Sequence, residues 1–400
     1  MSLALSAQTF TTLYTFGSQA LDGVWPQSGL ILGPQGELYG TTSGGGRWDS
    51  GTAYELMPPA SPGGSWTEAV LHSFNAQDGF NPNFGVTLGP NGSLYGVART
   101  SDISGGAAFQ LNPPSGASAG WTYKIIYQTD GYLESSLVFG SPLGYGQSLY
   151  GADLGGNGSV YRLTPPATAG GKWTQTTLYT FPGGSGGSLP GRSLAVGAGS
   201  TLFGVTIQGG YVGGCGYYGC GTVFSLTPPA QAGAPWTERI LHGFEAWIGD
   251  GATPIAGVVI GAGGVLYGTT SAGPYDHGSG TVFSLTPPTV PGAPMAETIL
   301  HVFAQSGGDG TSPNALVRGP NGVLYGTTQS GGASNYGTVF ELAPPASPGG
   351  SWTETILYSF TDGADGLEPD GLTIGPDGTL YGTTEIGGTG ARGTVFALTP

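Results

Sequence analysis

Apolar residues along this chain fall in short runs that alternate with polar ones and are cut off by Gly, Pro and Asx-Gly turns; no helical period appears anywhere. The string Leu-Tyr-Gly recurs with its aromatic at Tyr39, Tyr95, Tyr150, Phe203, Tyr267, Tyr325 and Tyr381, at intervals of 56, 55, 53, 64, 58 and 56 residues. Each repeat reads as four strands. An apolar run such as Gly371–Gly375 leads into a tight turn of the type Gly319-Pro320-Asn321-Gly322, where proline presets one corner and Asn-Gly tolerates positive φ. Leu-Tyr-Gly-Thr-Thr follows as the second strand and Gly-Thr-Val-Phe-x-Leu as the third, clearest at 221–226, 280–285, 337–342 and 393–398. A Pro-Pro pair (Pro58-Pro59, Pro344-Pro345 and equivalents) then stops the ladder, because proline has no N–H to donate. The fourth strand is Trp-Thr-Glu-x-x-Leu-aromatic-x-Phe, as at Trp352–Phe360.

Four antiparallel strands repeated seven times predict an all-β, seven-bladed β-propeller. A solenoid is the alternative, and the ends of the sequence speak against it. The third strand of the last unit closes at Pro400, while Thr11–Phe16 matches the fourth strand Thr355–Phe360. The N-terminal strand thus completes the last blade and clasps a ring. The expected organisation is one domain over 8–400, with 8–16 the outer strand of blade 7 and blades near 22–75, 78–129, 130–181, 186–244, 250–303, 309–360 and 365–400. Residues 1–7 read as the tail of a cleaved secretory leader behind an added start residue.

Composition changes the picture in two ways. The 80 glycines and 31 prolines would imply low complexity if they were unpatterned, but the repeat gives them addresses in turns and strand stops. Only 8 % of residues are charged, and 9 basic against 24 acidic residues give −15. That balance excludes a nucleic-acid partner and disfavours an anionic membrane surface, and no apolar run is long enough for a membrane span. Two cysteines, Cys215 and Cys220, enclose a short loop; two thiols cannot build a structural zinc site, and a local disulfide implies an oxidising compartment.

The combined motif D-G-x-x-P…L-Y-G-T-T…G-G…G-T-V-F-x-L resembles the Gloeo/Verruco tandem repeat of exported bacterial proteins, some with C-terminal anchoring signals. The resemblance covers essentially the whole chain and implies an exported propeller with no defined activity and no catalytic residues to carry over. Blades 2 and 3 depart from it: Val97-Ala98 and Ala152-Asp153 replace Thr-Thr, and Ser135 stands at the proline position.

Loop lengths separate the two faces. From the third-strand aromatic to the fourth-strand Trp position the spacing is always 12, whereas from the second-strand to the third-strand aromatic it runs 15, 14, 11, 21, 16, 15 and 15. The varied face is the expected binding face. Its aromatics outside the repeat, Trp25, Trp48, Phe80, Tyr211, Tyr217, Tyr218, Trp247, Tyr275 and Tyr336, are candidate ligand contacts. Such rings, with amide, carboxylate and Arg neighbours, suit a polysaccharide or a cell-surface protein.

A non-catalytic binding module of a secreted monomer is the leading expectation. A polysaccharide lyase or glycoside hydrolase on the same face, with Asp102, Arg99 and Asp153 or Asp276 and His277 as weak catalytic candidates, is the alternative, and a structural surface repeat is the third. The recurring Asp-Gly pairs (Asp22, Asp78, Asp130, Asp250, Asp309, Asp365) read as turn chemistry; a Ca²⁺ ring at a channel mouth is their only cofactor reading, and no other metal or cofactor is expected. His72, His242 and His301 stand where other blades have Tyr and read as packing residues. Glu68, Glu238, Glu297 and Glu354 read as lying on a solvated outer strand. Repeat-breaking charges, Asp49, Asp102, Glu134, Asp153, Glu245, Asp276 and the first-strand Arg318, form the short list for function.

Overall fold

A computed structural model describes residues 8–61, 63–100, 105–116, 119–140, 147–168, 171–211, 215–231, 233–246, 250–273, 279–290, 293–304, 308–347 and 349–400. Among the described residues, seven antiparallel blades form a β-propeller; six are four-stranded sheets, and in blade 4 the innermost strand is split into Ser188–Pro190 and Ala195–Val196. The last sheet takes Leu367–Ile374, Leu380–Ile386 and Thr394–Thr399, and its outer strand is Thr9–Thr15, paired from Thr9↔Thr399 to Thr15↔Thr394. The outer side of Thr394–Thr399 is thereby paired, and Thr9–Thr15 becomes the outer edge of the last blade. No helix among the described residues is long and apolar enough to cross a membrane.

Inside each blade, the glycine of Leu-Tyr-Gly is required by the third-strand aromatic, whose ring tip abuts it. A Cβ would fall 2.5 Å from the ring of Phe109 at Gly96, of Phe283 at Gly268 and of Phe396 at Gly382. The second threonine of Leu-Tyr-Gly-Thr-Thr is buried and pairs with the first threonine of the third strand. Oγ1–Oγ1 distances are 2.8 Å for Thr42–Thr52, Thr206–Thr222, Thr270–Thr281 and Thr328–Thr338, and 2.9 Å for Thr384–Thr394. Blade 2 replaces the pair by Ala98 facing Ala107, removing both hydroxyls together. Blade 3 keeps a polar pair in altered form, Ser159 Oγ donating to Asp153. The outer strands do not alternate cleanly: in every blade the register against the third strand shifts by one residue, at Leu13, Leu71, Ile126, Leu178, Leu241, Leu300 and Leu357. The extra residue is a bulge that increases local twist, as fanned blades need.

Blades meet through a repeated seam. The proline of Asp-Gly-x-x-Pro seats on the glycine that opens the preceding blade's third strand; a Cβ on Gly393 would fall 2.5 Å from Pro26, and one on Gly51 or Gly221 2.6 Å from Pro82 or Pro254. The residue before that proline donates its N–H back to the preceding blade: Trp25 to Arg392 O at 2.8 Å, Asn81 to Ser50 O at 2.9 Å, Thr253 to Cys220 O at 2.8 Å, Ser312 to Ser279 O at 2.7 Å. These residues sit at positive φ (60°, 47°, 58° and 54°), a conformation costly for a β-branched side chain such as Thr253 and held in place by the seam. Below the proline, the last Phe of one outer strand packs edge-on against the next third-strand aromatic, with centroids 5.0–5.3 Å apart at Phe16–Tyr54, Phe74–Phe109, Phe181–Phe224, Phe244–Phe283, Phe303–Phe340 and Phe360–Phe396.

The Asp-Gly aspartates belong to the same seam. Asp22 accepts from Tyr14 Oη at 2.9 Å and Asp365 from Tyr358 Oη at 3.1 Å and Thr361 N at 2.8 Å. Asp78 accepts from Asn75 N at 2.8 Å and meets His72 Nε2 at 3.1 Å. The glutamates expected on a solvated strand are instead largely buried in these seams. Burial, and then the charge of Asp22, push Glu68 up to about 7.

Two predictions follow from these contacts. Thr328→Val or Thr338→Val alone is expected to cost about 1–3 kcal/mol by stranding a buried hydroxyl. The double variant should cost less than the sum, as blade 2 already does without both groups; strictly additive losses in denaturant titrations would contradict the pairing. For Glu68, the folded state binds the proton more tightly than the unfolded chain. Its stabilising contribution is therefore complete at acid pH, below the ordinary carboxylate value, and is lost as pH rises through about 7. Glu68→Gln should leave the melting temperature unchanged at acid pH and raise it above neutrality, measured by thermal scans across the range.

Candidate functional site

The innermost strands surround an axial channel. At its mouth on the varied face lies a cavity of about 200 Å³ lined by Gln27, Asn83, Arg192, Asn314, Asp370 and Glu385, with Phe84 and Glu368 beside them. Below it, a second chamber of about 390 Å³ shares Gln27, Asn83, Phe84, Arg192, Asn314 and Asp370 and continues between Leu30, Val86, Leu137 and Leu372. The cavity is polar above and apolar below.

Most of these side chains come from one place in the repeat, the residue after the seam proline: Gln27, Asn83, Asn314 and Asp370 follow Pro26, Pro82, Pro313 and Pro369, and Ile255 follows Pro254. The proline and the bond before it fix the backbone, and the following side chain is delivered to the axis. The first threonine of Leu-Tyr-Gly-Thr-Thr then latches the next blade: Thr269 Oγ1 donates to Asn314 O at 2.6 Å, Thr327 Oγ1 to Asp370 O at 2.6 Å, and Thr383 Oγ1 to Ser28 O at 2.9 Å. Arg192 is held by its main chain, donating to Ile255 O at 3.0 Å and accepting from Ser136 N at 2.8 Å.

Side chains are paired around the rim. Asn314 Nδ2 donates to Asp370 Oδ1 at 2.6 Å, and Gln27 Nε2 to Glu385 Oε1 at 2.5 Å. Burial pushes the Asp370 carboxyl up to about 6; Arg192 and the Asn314 bond oppose the rise, and Glu385 adds to it. Glu368 is also raised, by burial and then by Glu385. Three carboxylates face one guanidinium, so the mouth is an anionic, hydrogen-bonding pocket.

The candidates read from the sequence are placed as follows. Asp102, Trp247, Tyr275, Asp276 and His277 lie outside the described residues. Arg99 and Asp153 do not meet at a site. Arg99 Nη2 binds Glu134 Oε1 at 2.6 Å across the seam of blades 2 and 3, where Thr129 and Ser135 stand in place of the usual Phe and Pro. Asp153 serves the threonine-pair position and also accepts from Gly155 N at 3.0 Å. These repeat-breaking charges therefore rebuild structure that blades 2 and 3 lack. Arg318 is exposed and lines neither chamber. Asp22, Asp78, Asp250, Asp309 and Asp365 also stay off the axis, engaged in the seams, and Asp130 is exposed.

The aromatics are spread around the rim. Trp25 lies under Arg392, whose guanidinium carbon is 5.5 Å from the ring centroid, and Trp48 under Arg47 at 5.2 Å. Phe80 pairs by its main chain with Arg99, Tyr336 packs against the blade 6–7 core, and Tyr211 is exposed. Tyr217 and Tyr218, 91 % and 66 % exposed, line an open cleft with Asn157, Pro182 and Gln208. Their loop is stapled by the Cys215–Cys220 disulfide, whose Cys220 is fully buried.

Sequence reasoning does not single out the axial residues, because each looks ordinary within its own blade. The readable signal is the position after proline, which carries Gln27, Asn83, Gly191, Ile255, Asn314 and Asp370 inside an otherwise regular motif.

A family model for the Gloeobacter/Verrucomicrobia repeat matches residues 1–152 and 293–400. The chain belongs to the Gloeobacter/Verrucomicrobia repeat family. No curated protein matches it. Among solved structures, a fungal alcohol oxidase of the AA5 family, solved with copper, is similar with a TM-score of 0.58 at 13 % identity, over 99 % of this chain and 77 % of that one. A Bacteroides fragilis protein named as a candidate 6-phosphogluconolactonase gives 0.51 at 14 % identity, over 86 % and 87 %. At such identities the likeness establishes the fold alone. Within this Gloeobacter/Verrucomicrobia repeat chain, the Arg99–Glu134 pair is the most exposed to direct test. Arg99→Met is expected to lower stability by about 1 kcal/mol, less at high salt; unchanged unfolding curves at both salt levels would remove the pair's role in the seam.

Proposed function

We propose that this chain is an exported binding module that takes a neutral or amino sugar unit of a glycan in the axial cavity of its varied face. The observation that carries the reading is the convergence of Gln27, Asn83, Arg192, Asn314, Asp370 and Glu385 on one cavity. Amide, carboxylate and guanidinium groups offer paired donors and acceptors in a plane, the pattern that vicinal hydroxyls need, and Phe84 supplies an apolar wall. At about 200 Å³ the upper chamber suits one sugar ring, with further units running out over the face toward Tyr217 and Tyr218. The excess of carboxylates disfavours uronate-bearing ligands, which weakens the lyase alternative. The Cys215–Cys220 disulfide supports an oxidising compartment.

A glycoside hydrolase is the second reading, and Asp370 is the observation that favours it. A carboxyl raised to about 6, beside a second carboxylate on Glu385, is suited to donate a proton near neutrality.

Calorimetric titration with neutral, amino and acidic oligosaccharides tests the binding reading. Neutral or amino sugars are expected to bind, with Asp370→Asn and Arg192→Met each weakening affinity at least about tenfold. Release of reducing ends by the wild type, lost in Asp370→Asn, would convert the module into a hydrolase. Binding by none of the sugars, or binding unaffected by both substitutions, would overturn the axial assignment.

A further inference from the structure

The seams between blades 4 and 5 and between blades 5 and 6 differ from the others in one respect. Where a tyrosine sits on the outer strand at the closing seam, Tyr14 reaches Asp22 with an ordinary hydrogen bond of 2.9 Å. At these two seams the residue is His242 or His301, the aspartate is Asp250 or Asp309, and the next outer strand contributes Glu297 or Glu354. We propose that each of these triads binds a divalent transition-metal ion of the zinc class, two per chain, as a staple between neighbouring blades.

The geometry points to an ion more than to a hydrogen bond. His242 Nε2 stands 3.4 Å from both Asp250 Oδ1 and Glu297 Oε1, and His301 Nε2 stands 3.4 Å from Asp309 Oδ2. Within each triad one ligand atom per residue lies within 4.8 Å of the others. An N–H···O bond prefers about 2.9 Å. Two ligands bonded at 2.0–2.1 Å to a tetrahedral ion stand about 3.4 Å apart. Glu297 Oε1, Glu354 Oε1 and His301 Nε2 are buried and have no hydrogen-bond partner. The orphaned glutamate oxygen does not mark a metal by itself, since Glu68 and Glu238 share it at seams that carry tyrosine. The histidine is what completes a set of three ligands. At the seam of blades 1 and 2, His72 is present but the glutamate position is Tyr123, which stacks on the imidazole at 4.0 Å.

The aspartates are already oriented. Asp250 accepts from Glu245 N and Gly251 N, both at 2.7 Å, and Asp309 from Ala304 N at 2.8 Å and Gly310 N at 2.7 Å. Such outer bonds fix a ligand before the ion arrives. The side chains are between 13 % and 18 % exposed in the first triad, so a water can take the fourth position. One imidazole and two carboxylates, with four or five ligands in all, fit zinc better than calcium, which prefers six to eight oxygens. The divalent charge also neutralises two carboxylates that otherwise face each other in a half-buried seam.

The test is metal uptake by the folded chain after chelator treatment and dialysis. Titration with Zn²⁺ at neutral pH, read by calorimetry and by elemental analysis of the dialysed protein, is expected to give two equivalents and a rise in melting temperature. His242→Tyr and His301→Tyr install the residue that other seams carry. Each should lose one equivalent while its circular dichroism and chelator-state melting temperature stay those of the parent, and the double variant should bind none. If a tyrosine variant fails to fold, Glu297→Gln and Glu354→Gln are read in the same way. No stoichiometric uptake by the parent, or two equivalents retained in the double variant, overturns the proposal.

Discussion

The ring depends on one contact more than on any other, the proline of one blade seated on a side-chain-free glycine of the blade before it. The contact does three things at once. It brings the two backbones close enough for the N–H ahead of the proline to reach across the seam. It holds that residue at positive φ, a strain that Trp25, Asn81, Thr253 and Ser312 all carry. It also sets the direction in which the chain enters the innermost strand. Closure uses the same parts: Pro26 sits on Gly393 and Trp25 N binds Arg392 O, so the junction of the termini is a seam like the others, reinforced by the N-terminal outer strand.

That contact explains where chemistry can vary. Seam residues are constrained on both sides, and their substitutions have to be made good, as Arg99 and Glu134 do between blades 2 and 3. The residue after the proline is constrained only in its backbone. Its side chain faces the channel, where it meets other polar side chains, as Asn314 meets Asp370 and Gln27 meets Glu385. Diversity at that position costs the fold little, and Gln27, Asn83, Ile255, Asn314 and Asp370 all reach one cavity from it. A low overall charge sharpens the effect, since Glu368, Asp370, Glu385 and Arg192 are four of only 33 acidic and basic residues in the chain.

Fold and site were legible to different degrees for a physical reason. The fold is written seven times, so the period of Leu-Tyr-Gly, the proline stops and the displaced strand at 9–15 revealed blades, topology and closure. The site is written once, across residues 27 to 385, and each member looks unremarkable in its own blade. The bulge at Leu357 and its equivalents was hidden because Leu followed by an aromatic still reads as strand. The burial of Glu68 and Glu297 was hidden because a single outer strand seems to have a solvent face, whereas in a ring that face is partly covered by the neighbouring blade. Arg318 shows the converse: an unusual residue in an apolar run can simply sit at an exposed strand end.

The axial site is not equally rigid all round. On blades 6, 7 and 1 the carbonyls of Asn314, Asp370 and Ser28 are each latched by a threonine of the preceding blade. Blades 2, 3 and 4 carry Val97, Ala152 and Val205 at the threonine position and cannot make that bond, so Ser136, Arg192 and Ile255 are tied to one another through main-chain bonds instead. The carboxylate side of the pocket is therefore fixed blade by blade, and the guanidinium side as one linked segment. A ligand that bridges Asp370 and Arg192 spans both supports. Its geometry is set by the first, and any adjustment to its size must come from the second.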